Sequence, residues 1–131
     1  VGAHDKEGKN MKRLVALLSR KPGMSMEDFR AYYEGNHAPL IMSLLPEGVE
    51  YRRTYVDPTT LFGGSVSNPS AAPVLDFDVI TTLSFATDDL YAVARASLGT
   101  AENQARIGAD EENFLDRPAK RIFVTTDCFD G

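Results

Sequence analysis

The chain has 131 residues, 43% of them hydrophobic and 25% charged. That is the composition of one soluble folded domain, and it excludes collagen-like, fibrous and globally disordered chains. Fourteen Lys and Arg against 19 Asp and Glu leave a net charge of −5, a poor balance for gripping a phosphate backbone, so no nucleic acid partner is expected.

The longest apolar run, Leu14–Leu18, falls far short of the roughly 20 residues that cross a bilayer. No basic-then-apolar leader opens the sequence, so no membrane partner is expected and the expected location is cytoplasmic. The single cysteine, Cys128, has no internal partner for a disulfide and reads as incidental.

Residues 1–10 are polar and aperiodic, and they read as a flexible lead-in to a single domain over 11–131. Lys12–Arg20 is apolar between charges and is stopped by Lys21-Pro22-Gly23, which predicts a first strand. Ser25 offers an N-cap oxygen, with Glu27 and Asp28 in the first turn, and Met26, Phe29 and Tyr33 fall on one helical face. Ala38 precedes Pro39, which disfavours helical geometry, so this helix is predicted to end near His37. Pro39–Leu45 reads as a short apolar connection, and Pro46-Glu47-Gly48 as a turn.

Val49, Tyr51, Arg53 and Tyr55 then alternate with Glu50, Arg52 and Thr54, the period of a second strand. Asp57–Asp76, rich in Pro, Gly and Ser, reads as a long loop of the kind that forms a lid or a binding loop. Phe77, Val79, Thr81, Leu83 and Phe85 form the apolar side of a third strand, with Asp78 and Ile80 on its other parity. Thr87 caps a helix ending at Gly99, whose predicted stripe is Leu90, Val93, Ala94 and Ser97. Thr100–Leu115 is a further helical segment weakened by Gly108, Arg117-Pro118 breaks it, and Arg121–Thr126 is the last strand.

Strand, helix, strand, strand, helix, strand is the ferredoxin-like βαββαβ plan, an α+β fold with a four-stranded antiparallel sheet. Helices on one face leave the other face bare, and a domain this small is expected to cover it with a second copy, as a homodimer.

His37 is the most informative residue. It lies on the core side of its helix, and at a helix C-terminus its proton would be held near or above the free value. That suits proton transfer at neutral pH, while capping or core filling is the alternative. Asp78, on a strand that is otherwise apolar, would complete an acid–base pair if it met His37; otherwise it meets solvent or Arg53. Tyr51, Arg53 and Tyr55 share a parity that would line the same cleft as Asp78, with Tyr33, Ile80 and Phe114 as further lining residues, or they are ordinary sheet-surface residues. The acidic stretch Asp110–Asp116 lacks the pattern of a calcium loop and reads as a solvated helix face, and Gly63-Gly64-Ser65 lacks that of a phosphate loop, so no metal site is expected.

Phe29-Arg30-Ala31-Tyr32-Tyr33 followed by Asn36-His37-Ala38-Pro39-Leu40 resembles the F-R-x-Y-(W/Y)-x-x-x-H-x-P-L signature of EthD-type proteins of the dimeric α/β-barrel superfamily. Pro46–Tyr51, Phe77-Asp78-Val79-Ile80, and Asp110-Glu111 with Phe114 and Asp116 are similar to three more of its segments, so the resemblance spans residues 11–126. It implies a face-to-face homodimer with a pocket between sheet and helices in each protomer. It also implies acid–base chemistry without a cofactor at the positions of His37 and Asp78, of a lyase, dehydratase, cyclase or isomerase type, on a small aromatic or polyketide-like molecule. Two other readings stand beside this one. One is a non-catalytic binding protein of a degradation or biosynthesis pathway; the other is haem chemistry as in other branches of the superfamily, for which only His37 could be the axial ligand.

Overall fold

The computed structural model describes residues 11–57 and 75–128. The lead-in over 1–10 and all but the ends of the loop over 57–76 lie outside the described residues. Strands β1 (Lys12–Leu18), β2 (Glu50–Tyr55), β3 (Val79–Phe85) and β4 (Arg121–Thr126) form one sheet in the order β2-β3-β1-β4. Every neighbouring pair is antiparallel, which gives the split βαβ arrangement of the ferredoxin-like fold.

Helices α1 (Met26–Tyr32), α2 (Ala38–Leu44), α3 (Asp88–Leu98) and α4 (Ala101–Glu111) complete the described fold, with a π-helical stretch at Tyr33–His37 and a 3-10 turn at Arg117–Ala119. Ser25, Thr87 and Thr100 cap α1, α3 and α4 by accepting from the backbone N–H groups of Asp28, Leu90 and Asn103, which satisfies donors that the first helical turn leaves unpaired.

The helix predicted to stop near His37 does not stop. Residues 26–44 are helical throughout, and the intended connection Pro39–Leu45 is mostly α2. Proline lacks an N–H and its ring needs room at the carbonyl four residues back. The wider turn of the π stretch, in which the Ala38 N–H bonds the Tyr33 carbonyl, supplies that room and leaves Pro39 among the first positions of α2. His37 therefore sits mid-run, away from a free helix C-terminus.

Two further elements differ from the prediction. On α3, Val93 is exposed and Ala94 is buried, so the packed stripe is Leu90, Tyr91, Ala94 and Leu98. The last predicted helix ends at Glu111. Gly108 is accommodated there because Arg117 lies over it: a Cβ at this position would come within 3.1 Å of the guanidinium.

Strand register fixes which side chains meet. Leu14, Ala16 and Leu18 pair with Leu83, Thr81 and Val79, and these pair in turn with Tyr51, Arg53 and Tyr55. This inner face packs under the helices in two clusters. One joins Leu18, Phe29, Tyr33, Ala38, Val79, Phe114 and Leu115, and the other joins Leu83, Phe85 and Ala94.

The outer face carries Arg13, Val15 and Leu17, with Ser84, Thr82 and Ile80 beside them. On the edge strand, Ile122, Phe123 and Val124 are 53%, 45% and 45% exposed. Among the described residues no helix is long and apolar enough to cross a membrane.

Candidate active site

The π stretch presents Tyr33 and His37 to the core, 1% and 3% exposed. Phe29 stacks edge-on to Tyr33, and Phe114 closes on the other side with its ring centroid 4.8 Å from that of His37. The His37 Nδ1 lies 2.7 Å from Asp110 Oδ2 on α4. A carboxylate oxygen only accepts, so Nδ1 is the N–H donor and the neutral ring keeps its lone pair on Nε2. Among the described residues Nε2 has no hydrogen-bond partner, and no side-chain polar atom is both buried and unpaired.

Burial pulls the His37 proton affinity below that of a free imidazole. The Asp110 hydrogen bond and charge oppose it without reversing the sign, so the ring is neutral at pH 7. This corrects the expectation from the sequence: burial, and no helix terminus, sets the protonation state.

Asp110 is held from its other side as well. The Tyr32 hydroxyl donates to Asp110 Oδ1 at 2.6 Å, and Asn113 Nδ2 donates to the Tyr32 oxygen at 2.8 Å. The next residue, Glu111, is only 5% exposed and is clasped by Lys120 Nζ at 2.9 and 3.0 Å and by Arg117 Nε at 3.3 Å. The reading of this stretch as a solvated face therefore fails at Asp110 and Glu111: both turn inward, and each finds a long-range partner that local charge counting does not reveal.

A second polar chain crosses the inner face. Tyr51 donates to the Tyr33 oxygen at 3.0 Å, and the Tyr33 hydroxyl shares a 2.5 Å hydrogen bond with Thr81. Burial pushes both phenols above the usual tyrosine range, Tyr51 strongly, so they remain O–H donors. Nearer the solvent, Glu34 takes Arg53 through both oxygens, at 3.0 and 2.7 Å, and also accepts from Tyr55 at 2.6 Å. Arg53 lies over the Tyr51 ring, 4.5 Å from its centroid.

Of the residues singled out from the sequence, His37, Tyr33, Tyr51, Arg53, Tyr55 and Phe114 gather on the inner side. Asp78 and Ile80 do not. Asp78 lies one residue before β3, where its Oδ2 accepts from the Arg20 backbone N–H at 2.8 Å, and the carboxylate that meets His37 is Asp110. Ile80 has the opposite parity to Val79 and Thr81 and faces outward beside Leu17 and Thr54. Tyr51, Arg53 and Tyr55 accordingly share a side with His37 rather than with Asp78. On the outer face a cleft of about 600 Å³ is lined by Arg13, Glu50, Tyr51, Arg52, Thr54, Thr82 and Ser84. Among the described residues no group of three or more His, Cys, Asp or Glu is placed to hold a metal ion.

The sequence profile of the EthD domain matches residues 21–118. The chain belongs to the EthD family. No curated protein matches the sequence. Among solved structures, this EthD chain is similar to an ethyl tert-butyl ether D (EthD) family protein from Bacillus halodurans C-125, with TM-score 0.53 and 19% identity over 88% of this chain and 96% of that one. It is also similar to an EthD-like protein from Ralstonia eutropha JMP134, with TM-score 0.55 and 18% identity over 92% of each chain. A third similar structure is a DABB family protein with a ferredoxin-like fold from Mesorhizobium loti MAFF303099, with TM-score 0.54 and 11% identity over 93% of this chain and 99% of that one. At these identities the likeness is one of fold.

Proposed function

We propose that this EthD-family protein is a cofactor-independent acid–base enzyme of the lyase, cyclase or isomerase type, acting on a small aromatic or polyketide-like molecule. The observation that carries the reading is the buried His37 ring, bonded through Nδ1 to Asp110 at 2.7 Å with Nε2 unengaged. A neutral imidazole oriented by a carboxylate is the arrangement a general base needs. Nε2 takes a proton from an acidic C–H or O–H of the substrate, Asp110 stabilises the imidazolium, and the proton returns to the leaving or rearranged atom. Arg53 is held by Glu34 through two hydrogen bonds, whereas Tyr51 gives a single one to Tyr33, so the Tyr51 hydroxyl, turned from Tyr33 to the substrate, is the group we assign to polarising a carbonyl or enolate oxygen.

Incubating the protein with a panel of aromatic β-hydroxy-ketones and lactones tests this. Conversion is expected to fall about 10²–10⁴-fold in His37→Ala, and wild-type turnover by that variant would overturn the assignment. A carrier without chemistry is the second reading, favoured by the aromatic enclosure that leaves His37 only 3% exposed. It predicts ligand affinity that survives His37→Ala, with the ligand recovered unchanged.

We also propose that a second copy covers the outer sheet face and β4, where three consecutive apolar residues stand about half exposed. Light scattering at micromolar concentration is expected to give twice the 14.4 kDa chain mass. A particle of 14.4 kDa would contradict it.

A further inference from the structure

The π stretch has a geometric consequence. At 100° per residue in an α-helix, positions i and i+5 stand about 140° apart around the axis. Tyr32 and His37 are such a pair, yet both bond one carboxylate, His37 to Asp110 Oδ2 and Tyr32 to Oδ1. The wider π turn brings residue i+5 back close to residue i, and the π stretch here covers Tyr33–His37.

We propose that Tyr32, phased by this π stretch and supported by Asn113, is a positioning residue: it draws charge from Asp110 and so keeps His37 a neutral, Nδ1-protonated base. This rests on the acid–base reading of His37 and adds the residues that tune it.

The argument is one of competition for a carboxylate. A carboxylate that accepts a second, phenolic hydrogen bond offers less negative charge to the imidazole on its other oxygen. Tyr32 is a durable donor because Asp110 itself, followed by burial, lifts the phenol above its usual range. Asn113, donating to the Tyr32 oxygen, makes that phenol a stronger donor.

The other charged groups acting on His37 are Glu111 from α4 and Lys120 from the segment before β4. They are bonded to each other. Tyr33 and Phe114 complete the enclosure with their rings. The hydrogen bonds of Asn113 and Tyr32 lead in turn to Asp110, so removing the amide or the phenolic hydroxyl, with the Tyr32 ring kept on Phe114, reads out that one interaction.

The experiment is a ¹⁵N-edited NMR titration of the His37 ring in the full chain, assigned against His37→Gln, for wild type, Tyr32→Phe and Asn113→Ala. Tyr32→Phe keeps the ring that packs on Phe114, and Asn113 is exposed, so a fold failure in the first variant leaves the second to decide. The expected result is an upward shift of the His37 pKa in both, larger in Tyr32→Phe, with the ring still protonated at Nδ1 below saturation. An unchanged or lowered pKa would overturn the proposal.

No substrate is needed, so the two claims fail separately. An upward shift in a protein whose His37→Ala variant retains full turnover refutes the acid–base reading and leaves the positioning of His37 by Tyr32 intact. Where turnover is found, the acidic limb of the kcat/KM profile is expected to move upward with the titration.

Discussion

Asp110 and Glu111 are adjacent in the chain, both turn inward from the end of α4, and they meet opposite company. Glu111 is enclosed by two cations, Lys120 and Arg117. Asp110 is enclosed by a neutral imidazole and a phenol. The first is a closed ion pair with its charge cancelled where it stands, which is a structural arrangement. The second leaves a proton free to move, since the imidazole gains charge only when Nε2 is protonated and the carboxylate is already placed to stabilise it. The difference lies in the partners, which long-range packing selects.

The comparison can be tested from both sides. The largest effect is expected at Phe114, fully buried and in contact with Phe29, Tyr32, Tyr33 and His37. Phe114→Ala removes the wall of the Asp110 site and is expected to cost about 3–5 kcal/mol in denaturant unfolding, as large core truncations do.

On the Glu111 side, Lys120→Met strands a buried carboxylate with Arg117 alone. The expected loss is about 3 kcal/mol, the lower end of the range for breaking a buried pair. If stability hardly moves, Glu111 is not the structural partner in this comparison.

The third prediction concerns pH. The His37 pKa is lowered on folding, so the unfolded chain binds the extra proton between the folded-state value and about 6.5. The contribution of His37 to stability is therefore fully present above about 6.5 and is lost as pH falls through the folded-state value. Urea midpoints measured from pH 8 down to pH 5 are expected to fall less steeply in His37→Gln than in wild type. Parallel profiles would show that the ring is not held neutral by burial. The smallest effect is at a cap remote from both carboxylates: Ser25→Ala removes the acceptor for the Asp28 N–H and is expected to cost about 1 kcal/mol without altering the titration of His37.

What the sequence made legible followed local rules. The alternation in Tyr51–Tyr55 and Val79–Phe85 marked β2 and β3, and the polar caps Ser25 and Thr87 marked the starts of α1 and α3. Strand order alone led to the ferredoxin-like plan. The differences come from a helical register that departs from the α spacing and from long-range packing.

Pro39 is a sound helix-stop signal in an α register and loses its force beside a π stretch, whose spacing differs too little from that of an α-helix to be visible in seven or eight residues. Asp78 draws notice as an acidic group on an apolar strand, while Asp110 is submerged in an acidic run. A partner 73 residues from His37 is chosen by how α4 packs against the π stretch, which no local pattern records. The one trace of it was the resemblance of Asp110-Glu111, Phe114 and Asp116 to a family segment, whose role becomes visible only with the fold.

The measurement that bears most directly on the account is the titration of the His37 ring in wild type and in Asp110→Asn. Asp110 raises the proton affinity of His37 against the lowering by burial. The wild-type value is expected below that of a free imidazole, about 6.5, and removing the carboxylate charge is expected to lower it further. A pKa that Asp110→Asn leaves unchanged would contradict the His37–Asp110 pair on which the proposed chemistry depends, and a wild-type pKa at or above the free value would contradict burial as what keeps the ring neutral.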